Sequence, residues 1–144
     1  MFKKKGFTII ELLIVIAVIG ILVGIALPRF RGMQDEGNIA KAKAELKTLQ
    51  TAIESYYSHN SNVYPTALAN MTTATPQIIA VVPNDPFNGT TAYGYNHTGN
   101  YYAIYSVGPA NDGTATVDSD GAITETDGAS CIYVTNGTSI DAQP

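Results

Sequence analysis

Residues 3–30 read KKKGFTIIELLIVIAVIGILVGIALPRF, three lysines and a glycine followed by a long apolar run. The run covers residues 7–27, and only Thr8 and Glu11 within it are clearly polar. As a helix these residues would span about 31 Å, which matches the hydrocarbon thickness of a bilayer. We therefore expect a transmembrane helix whose N-terminus is held in the cytoplasm by the lysines.

The position of Gly6 sets this segment apart from a secretory signal, in which a small-residue cleavage site follows the apolar region. A cut after Gly6 would remove the lysines, keep the apolar helix and create a new α-amine on Phe7. Glu11 lies four residues on, on the same helix face. A carboxylate in lipid needs a partner, so Glu11 is predicted to pair with the Phe7 amine of its own chain or of a neighbouring chain. Pairing between chains would fix the register of a helical assembly.

This stretch resembles the class III leader and N-terminal helix of type IV pilins and type II secretion pseudopilins. The matching features are the basic leader, Gly6 before the cut, Phe7 after it, Glu11 at the fifth mature position and Pro28 at the twenty-second. The resemblance implies removal of residues 1–6 by a prepilin peptidase and methylation of the new amine. It also implies a filament whose core is a bundle of these helices.

Gly20, Gly24 and Pro28 follow one another at intervals of four residues. Pro28 cannot donate a hydrogen bond to the carbonyl of Gly24, and glycines weaken a helix locally. These residues suit close packing in a membrane. They also suit a soft segment that stretches during assembly, since helices of the family lose structure near this proline in filaments.

Residues 29–60 are predicted to be the amphipathic half of the same helix. Apolar residues recur there at intervals of three and four, which defines one stripe: Ile39, Ala42, Leu46, Leu49, Ile53 and Tyr56. The stretch SHNSNVYP, residues 58–65, predicts the helix end near residue 58. The stripe predicts packing against a small domain, with a short coiled coil as the alternative.

The C-terminal residues 61–144 are predicted to form loops and short strands. Residues 91–108, TAYGYNHTGNYYAIYSVG, read as a hairpin of two tyrosine-rich strands, and CIYVT, residues 131–135, as a third strand. The sequence therefore predicts an α+β fold, with the long helix packed on a small antiparallel sheet domain. The resemblance implies that this is the pilin fold.

The charges are unevenly distributed along the chain. All eight Lys and Arg lie at or before Lys47, whereas eight of the twelve acids follow it, so the later residues carry a formal charge of −8. Nucleic-acid binding needs cationic side chains, so it is not predicted for the C-terminal domain. The single cysteine, Cys131, cannot form an intrachain disulfide and is predicted to be a part-buried apolar residue.

The C-terminal half resembles the G-type major pseudopilin of type II secretion through VYPTAL, VPNDPFNGTTAYGY and YYAIYSVGPANDG. Phe87 stands where the family usually has Trp, and Asn88 and Gly89 are in reversed order. Many type IV pilins have a C-terminal disulfide loop, which the single Cys131 does not allow. The resemblance implies the major pseudopilin of a type II secretion system, with a type IV pilin of a surface pilus for adhesion, motility or DNA uptake as the alternative.

An acidic segment, residues 109–128, is predicted to be a turn-rich loop. Ca²⁺ prefers six to eight hard oxygen ligands, which carboxylates and loop carbonyls supply. By resemblance to G-type pseudopilins, Asp112, Asp118 and Asp120 are the candidate calcium ligands. A solvated acidic loop without a metal is the alternative.

The sequence shows no catalytic constellation, since nothing pairs His59 or His97 with Cys131 or an activated serine. We therefore expect a structural protein and not an enzyme. The resemblance implies these partners: further copies in a homo-oligomeric filament, a prepilin peptidase, an inner-membrane assembly platform and minor pseudopilins or pilins. It also implies a single-pass protein of the bacterial inner membrane with a periplasmic C-terminal domain. Assembly would carry it into a periplasmic pseudopilus or an extracellular pilus.

Overall fold

The computed structural model describes residues 6–126 and 131–139, without the side chain of Ser139. The chain divides into two compact units, which we call the N-terminal unit (residues 1–36) and the C-terminal unit (residues 37–144). The helices are α1 (Ile9–His59) and α2 (Asn70–Thr73). Most of the leader, the end of the acidic segment and the last residues of the chain lie outside the described residues.

Helix α1 confirms the predicted long helix, with ends close to the expected residues. In the N-terminal unit its large apolar side chains, from Ile9 to Phe30, are exposed. An 18-residue window of this helix has a mean hydropathy of 3.0, and none of the window is buried. By length and composition, α1 can therefore cross a bilayer.

The part of α1 in the C-terminal unit buries the predicted apolar stripe. Ala42, Leu46, Leu49 and Ile53 are buried, and the partly buried Ile39 and Tyr56 pack against the same cluster. Their partners come from the loop, α2 and the strands: Leu68, Met71, Tyr93, Tyr102, Ile104 and Ile132. Because the domain of the same chain covers the stripe, the predicted packing is confirmed and a coiled coil is not needed to bury these side chains.

Two three-stranded sheets form the rest of the C-terminal unit. The first has the order β1–β2–β5 and is antiparallel, whereas the second has the order β3–β4–β6. The strands are β1 (Gly94–Thr98), β2 (Tyr101–Ser106), β3 (Thr114–Val117), β4 (Ala122–Thr126), β5 (Ile132–Thr135) and β6 (Thr138–Ser139). Strands β1 and β2 confirm the tyrosine-rich hairpin, and β5 confirms the third predicted strand.

The prediction that residues 109–128 form a loop is wrong for two stretches of that segment, residues 114–117 and 122–126. Strands β3 and β4 lie within it and pair with each other in an antiparallel register. Alternate apolar side chains bury one face of this hairpin, namely Ala115, Val117 and Ile123. Strand β4 also pairs with β6 in parallel, so the sheet is not purely antiparallel. The many Asp, Gly and Thr residues suggested a loop, although a short period-two alternation was present.

Strand β2 is the centre of the C-terminal unit because both of its faces are covered. Tyr102 and Ile104 belong to the cluster that contains α1, whereas Ala103 belongs to a second cluster with Val117 and Ile123 of the other sheet. Successive side chains of a strand point to opposite faces. This strand therefore joins the helix layer to the second sheet.

Candidate functional site

The predicted cleavage junction lies just before the helix. Gly6 and Phe7 precede the first helical residue, Ile9, and the Phe7 side chain is 87% exposed. A Cβ atom added at Gly6 would meet no atom within 4 Å. Packing among the described residues therefore does not require glycine at this position, and recognition of Gly6 by a peptidase stays a prediction.

The N-terminus of α1 is capped by hydrogen bonds between Thr8 and Glu11. The Thr8 backbone N–H donates to Glu11 Oε2 at 2.8 Å, and the Thr8 hydroxyl donates to the same oxygen at 2.7 Å. The Glu11 N–H donates in return to the Thr8 hydroxyl at 3.3 Å. This reciprocal arrangement is a capping box, in which Thr8 is the N-cap and Glu11 the third helical residue.

The capping box gives Glu11 a role that the sequence analysis missed. A carboxylate near the N-terminus of a helix is also stabilised by the helix dipole. The sequence signature of a capping box, T-x-x-E before an apolar run, is present at residues 8–11. Pairing of Glu11 with the Phe7 amine stays a prediction. A cut after Gly6 would place that amine next to the Thr8 N–H that already bonds Glu11.

Pro28 lies inside α1, which remains helical on both sides of it. Cβ atoms added at Gly20 or Gly24 would meet nothing within 4 Å. The small residues are therefore not required by contacts within the described chain. Close approach of another helix and local softening both stay predictions for this segment.

The three candidate calcium ligands do not come together in the described residues. Asp112 precedes β3, whereas Asp118 and Asp120 lie beyond its other end, and all three are exposed. Asp118 Oδ1 already accepts the N–H groups of Asp120 and Ala122 at 2.9 and 2.8 Å, which stabilises the hairpin turn. Within residues 6–126 and 131–139, no group of three His, Cys, Asp or Glu side chains could hold a metal ion. The aspartates as arranged here do not fit a calcium site, and calcium binding stays a prediction.

Calcium binding at these aspartates predicts a measurable effect on stability. Because a ligand that binds only the folded state stabilises it by mass action, added Ca²⁺ would raise the Tm of the full chain in detergent and EDTA would lower it. The combined substitution Asp112→Asn, Asp118→Asn and Asp120→Asn should abolish this difference. An identical Tm for the wild type in Ca²⁺ and in EDTA would contradict a structural calcium site.

Tyrosine hydroxyls bind the carboxylates of α1 inside the C-terminal unit. Tyr102 donates to Glu54 Oε1 at 2.7 Å, and Tyr93 donates to Glu45 Oε2 at 2.6 Å. Burial raises the pKa of both tyrosines, and the carboxylate that accepts each hydrogen bond raises it further. The tyrosines thus stay protonated and act as donors that attach β2 and the residue before β1 to the helix.

Cys131 is fully buried in the second cluster and is a free thiol. Burial raises the pKa of the thiol to about 12, with smaller contributions from Glu125 and Asp85. Because the thiolate is the reactive form, Cys131 is unreactive at neutral pH. The burial of Cys131 among apolar side chains confirms the prediction that it packs as an apolar residue.

Asp85 is a buried carboxylate, 1% exposed, that the sequence analysis did not identify. Its Oδ1 accepts the Phe87 N–H at 3.0 Å and the Ser106 hydroxyl at 2.9 Å, and its Oδ2 accepts the Val107 N–H at 2.8 Å. This side chain therefore joins the loop of residues 83–91 to the end of β2.

Asn136 is a second polar residue whose structural role was missed. Its Oδ1 accepts the Tyr102 N–H at 2.8 Å, and its Nδ2 donates to the Tyr64 hydroxyl at 3.1 Å and to the Asn100 carbonyl at 2.9 Å. The sequence marks it only as part of an N-x-T triplet. This side chain therefore joins the residues after β5 to β2 and to Tyr64.

Comparison with known proteins gives two adjoining family matches. The prokaryotic N-terminal methylation motif matches residues 1–27, and type II secretion system (T2SS), protein G matches residues 29–126. The type II secretion system core protein G of Aeromonas hydrophila is 30% identical over 132 residues, which cover 82% of this chain and 90% of that protein. The protein of the same name from Pseudomonas aeruginosa is 27% identical over 120 residues, 74% of this chain and 84% of that protein.

Pilins match over a shorter length. The fimbrial protein EcpB of Eikenella corrodens is 49% identical over 59 residues, 41% of this chain and 37% of that protein. The type IV major pilin protein PilA of Myxococcus xanthus is 48% identical over 56 residues, 39% of this chain and 26% of that protein. The chain thus matches well under half the length of these two relatives. No solved structure matches it significantly.

The fold and the methylation motif define the class of protein. A long N-terminal helix with an apolar first part and a small sheet domain is the pilin-like α+β fold. The chain belongs to the type II secretion system protein G family.

Proposed function

We propose that this chain is the major subunit of the periplasmic filament of a type II protein secretion system. In this pseudopilus many copies assemble helically, with the apolar parts of α1 at the core. The observation that carries the proposal is the extent of the family match, which covers residues 29–126 of this chain and 90% of one protein G relative. The large apolar side chains that α1 leaves exposed supply the surface that a membrane or a bundle of helices would cover.

Cleavage between Gly6 and Phe7 by a prepilin peptidase is the first step of the proposed function. The junction lies outside the helix and is exposed, so it can enter a protease active site without unwinding α1. Before assembly the chain would sit in the inner membrane through residues 7–27, with the C-terminal unit in the periplasm. Removal of the lysines would then free the helix to leave the membrane.

This step predicts the N-terminus of the mature protein. Mass spectrometry of the subunit, purified from cells with an active prepilin peptidase, should show Phe7 as the first residue, with one added methyl group. Gly6→Val should keep the leader attached, because a peptidase that needs glycine would be blocked, whereas the fold has room for the extra atoms. An intact leader on the wild-type protein would contradict the proposed processing.

Assembly would then proceed by pairing of charges. We expect the Glu11 carboxylate of an incoming subunit to meet the methylated Phe7 amine of a neighbour, which neutralises two charges inside an apolar bundle. In the unassembled chain Thr8 holds the same carboxylate. Thr8 and the neighbour's amine would therefore be successive partners of Glu11.

The role proposed for the chain is structural and not enzymatic. The energy and chemistry of assembly would come from its partners, namely the peptidase, the inner-membrane assembly platform and the minor pseudopilins. The chain would contribute the helix that packs, the Glu11 pairing and the domain that faces outward.

A surface pilus for adhesion, motility or DNA uptake is the second candidate, and it is favoured by the identity of 48–49% to pilins over 56–59 residues. Cryo-electron microscopy of cells that express the protein at its native level separates the two. Pseudopilus function predicts no surface fibres, and deletion of the protein should stop release of secreted proteins. Long surface fibres built of this subunit, with secretion intact after deletion, would make it a pilin.

A further inference from the structure

We propose that Arg29 and Arg31 bind the phosphate groups of phospholipids in the leaflet next to the C-terminal unit. The inference rests on the membrane-inserted state that the proposed function requires. Arg29 and Arg31 are the only Lys or Arg residues in the sequence between the leader and Lys41.

The position of the two arginines along α1 matches the headgroup layer. Residues 7–27 span about 31 Å as a helix, and the hydrocarbon core of a bilayer is about 30 Å thick. Arg29 and Arg31 then lie about 3 and 6 Å beyond Leu27, at the rise of 1.5 Å per residue. Headgroups extend about 5–7 Å beyond the hydrocarbon on each side. Both arginines therefore lie at the depth of the lipid phosphates.

Both side chains are exposed, and neither is paired with a carboxylate in the described part of the chain. Asp35 lies one helical turn beyond Arg31, yet the two form no ion pair. Lys41 and Glu45, at the same spacing in the C-terminal unit, do form one, at 3.8 Å. The arginines are therefore available to an anion from outside the chain.

Arg31 lies next to the last turn of the apolar run. A hollow of about 270 Å³ is lined by Leu27, Pro28 and Arg31. Side chains of a helix lean toward its N-terminus, which brings the guanidinium of Arg31 back toward the last apolar turn. The planar guanidinium donates two parallel N–H groups to phosphate oxygens, a geometry that lysine cannot reproduce.

The two arginines contact different lipids. Residues two positions apart point about 200° apart around a helix, so Arg29 and Arg31 face opposite sides of α1. Phe30, 62% exposed, lies between them. Lipid phosphates bound to the two arginines would hold the helix at one depth from two sides. They would do so at the end of the apolar run opposite the cleaved lysines. The arginines would thus keep a processed subunit at a fixed depth until it is extracted into the filament.

The absence of tryptophan from the chain allows a direct test. Phe30→Trp places a single indole at the level of the arginines, where tryptophan is well tolerated. The full chain carrying this reporter is reconstituted into phosphatidylcholine vesicles that contain a trace of either dansyl-phosphatidylglycerol or dansyl-phosphatidylcholine. Energy transfer from the introduced indole to dansyl then measures which lipid surrounds this end of the helix. The distance across the bilayer keeps lipids near the leader lysines out of range.

The proposal predicts that the anionic lipid is enriched about two- to fivefold over the neutral one, as expected for cationic residues near a membrane surface. Arg29→Gln with Arg31→Gln should reduce the ratio to one, and Arg29→Lys with Arg31→Lys should retain part of the enrichment. Lys41→Gln, well beyond the apolar run, should leave the ratio unchanged.

Flotation of the same vesicles separates the possible failures. A wild-type chain that does not float with vesicles would refute the membrane-inserted state and with it the proposed function. A chain that floats, but shows equal transfer to both lipids, would overturn the assignment of the arginines alone. The same holds if Arg29→Gln with Arg31→Gln reduces filament yield without changing the lipid ratio, because the arginines would then contact a neighbouring subunit.

Discussion

Replacing Asp85 by alanine is expected to lower the free energy of unfolding of the C-terminal unit by about 3–5 kcal/mol, because each hydrogen bond to a charged group contributes about 1.5–3 kcal/mol. Three donors would lose their acceptor, namely the N–H groups of Phe87 and Val107 and the hydroxyl of Ser106. Each buried donor without a partner costs about 1–3 kcal/mol. Since natural domains are stable by only about 5–15 kcal/mol, this one substitution removes a large share of the total.

Urea unfolding of the full chain in detergent, followed by the near-UV circular dichroism of the tyrosines, measures this loss. Near-UV signals are suitable because the apolar part of α1 contains no tyrosine and would stay in the micelle. Asp112→Ala is the matched control, since this carboxylate is exposed and should change stability by less than about 0.5 kcal/mol in EDTA. Asp85→Asn keeps one acceptor oxygen but turns the other into a donor, so it should fall between the two.

A loss below about 1 kcal/mol for Asp85→Ala would show that loop 83–91 is held by other contacts. The expected loss would explain why an aspartate follows Pro83 and Asn84 in this chain. The residue is then a structural centre of the domain.

The long helix and the tyrosine-rich hairpin were predictable because their signals are local. The apolar stripe from Ile39 to Tyr56 repeats with the helical period, and the hairpin alternates around a turn at Gly99 and Asn100. Each of these patterns can be read within a window of a few residues. The side chains of the stripe are the ones that α1 packs against β2, in one apolar cluster.

The second hairpin and the polar centres were missed because their partners are distant in sequence. Asp85 bonds residues 21 and 22 positions away, and Asn136 bonds residues 34, 36 and 72 positions away. Nothing in the local sequence separates such an aspartate from one in a solvated turn. Burial after folding makes the difference, since a desolvated carboxylate needs hydrogen-bond donors from the protein, whereas an exposed one is hydrated.

Glu11→Gln is expected to reduce the yield of assembled filaments at least tenfold, while membrane insertion and cleavage after Gly6 remain at the wild-type level. Glutamine can keep the helix cap, because a capping box accepts Glu or Gln at this position. It carries no charge, however, and cannot neutralise the Phe7 amine of a neighbour. An uncompensated buried charge costs several kcal/mol, and every 1.4 kcal/mol is about tenfold in an equilibrium.

Comparison with a cap variant separates the two partners of Glu11. Thr8→Val removes the hydroxyl but leaves the Thr8 backbone N–H and the Glu11 charge, so assembly should be affected much less than by Glu11→Gln. Sheared and cell-associated subunits, quantified by immunoblotting, give the yields, and mass spectrometry checks the N-terminus of each variant. Normal filament yield from Glu11→Gln would refute charge pairing. An equal loss in both variants would mean that assembly depends on the cap, because the pairing model requires the charge of Glu11 and not the hydroxyl of Thr8.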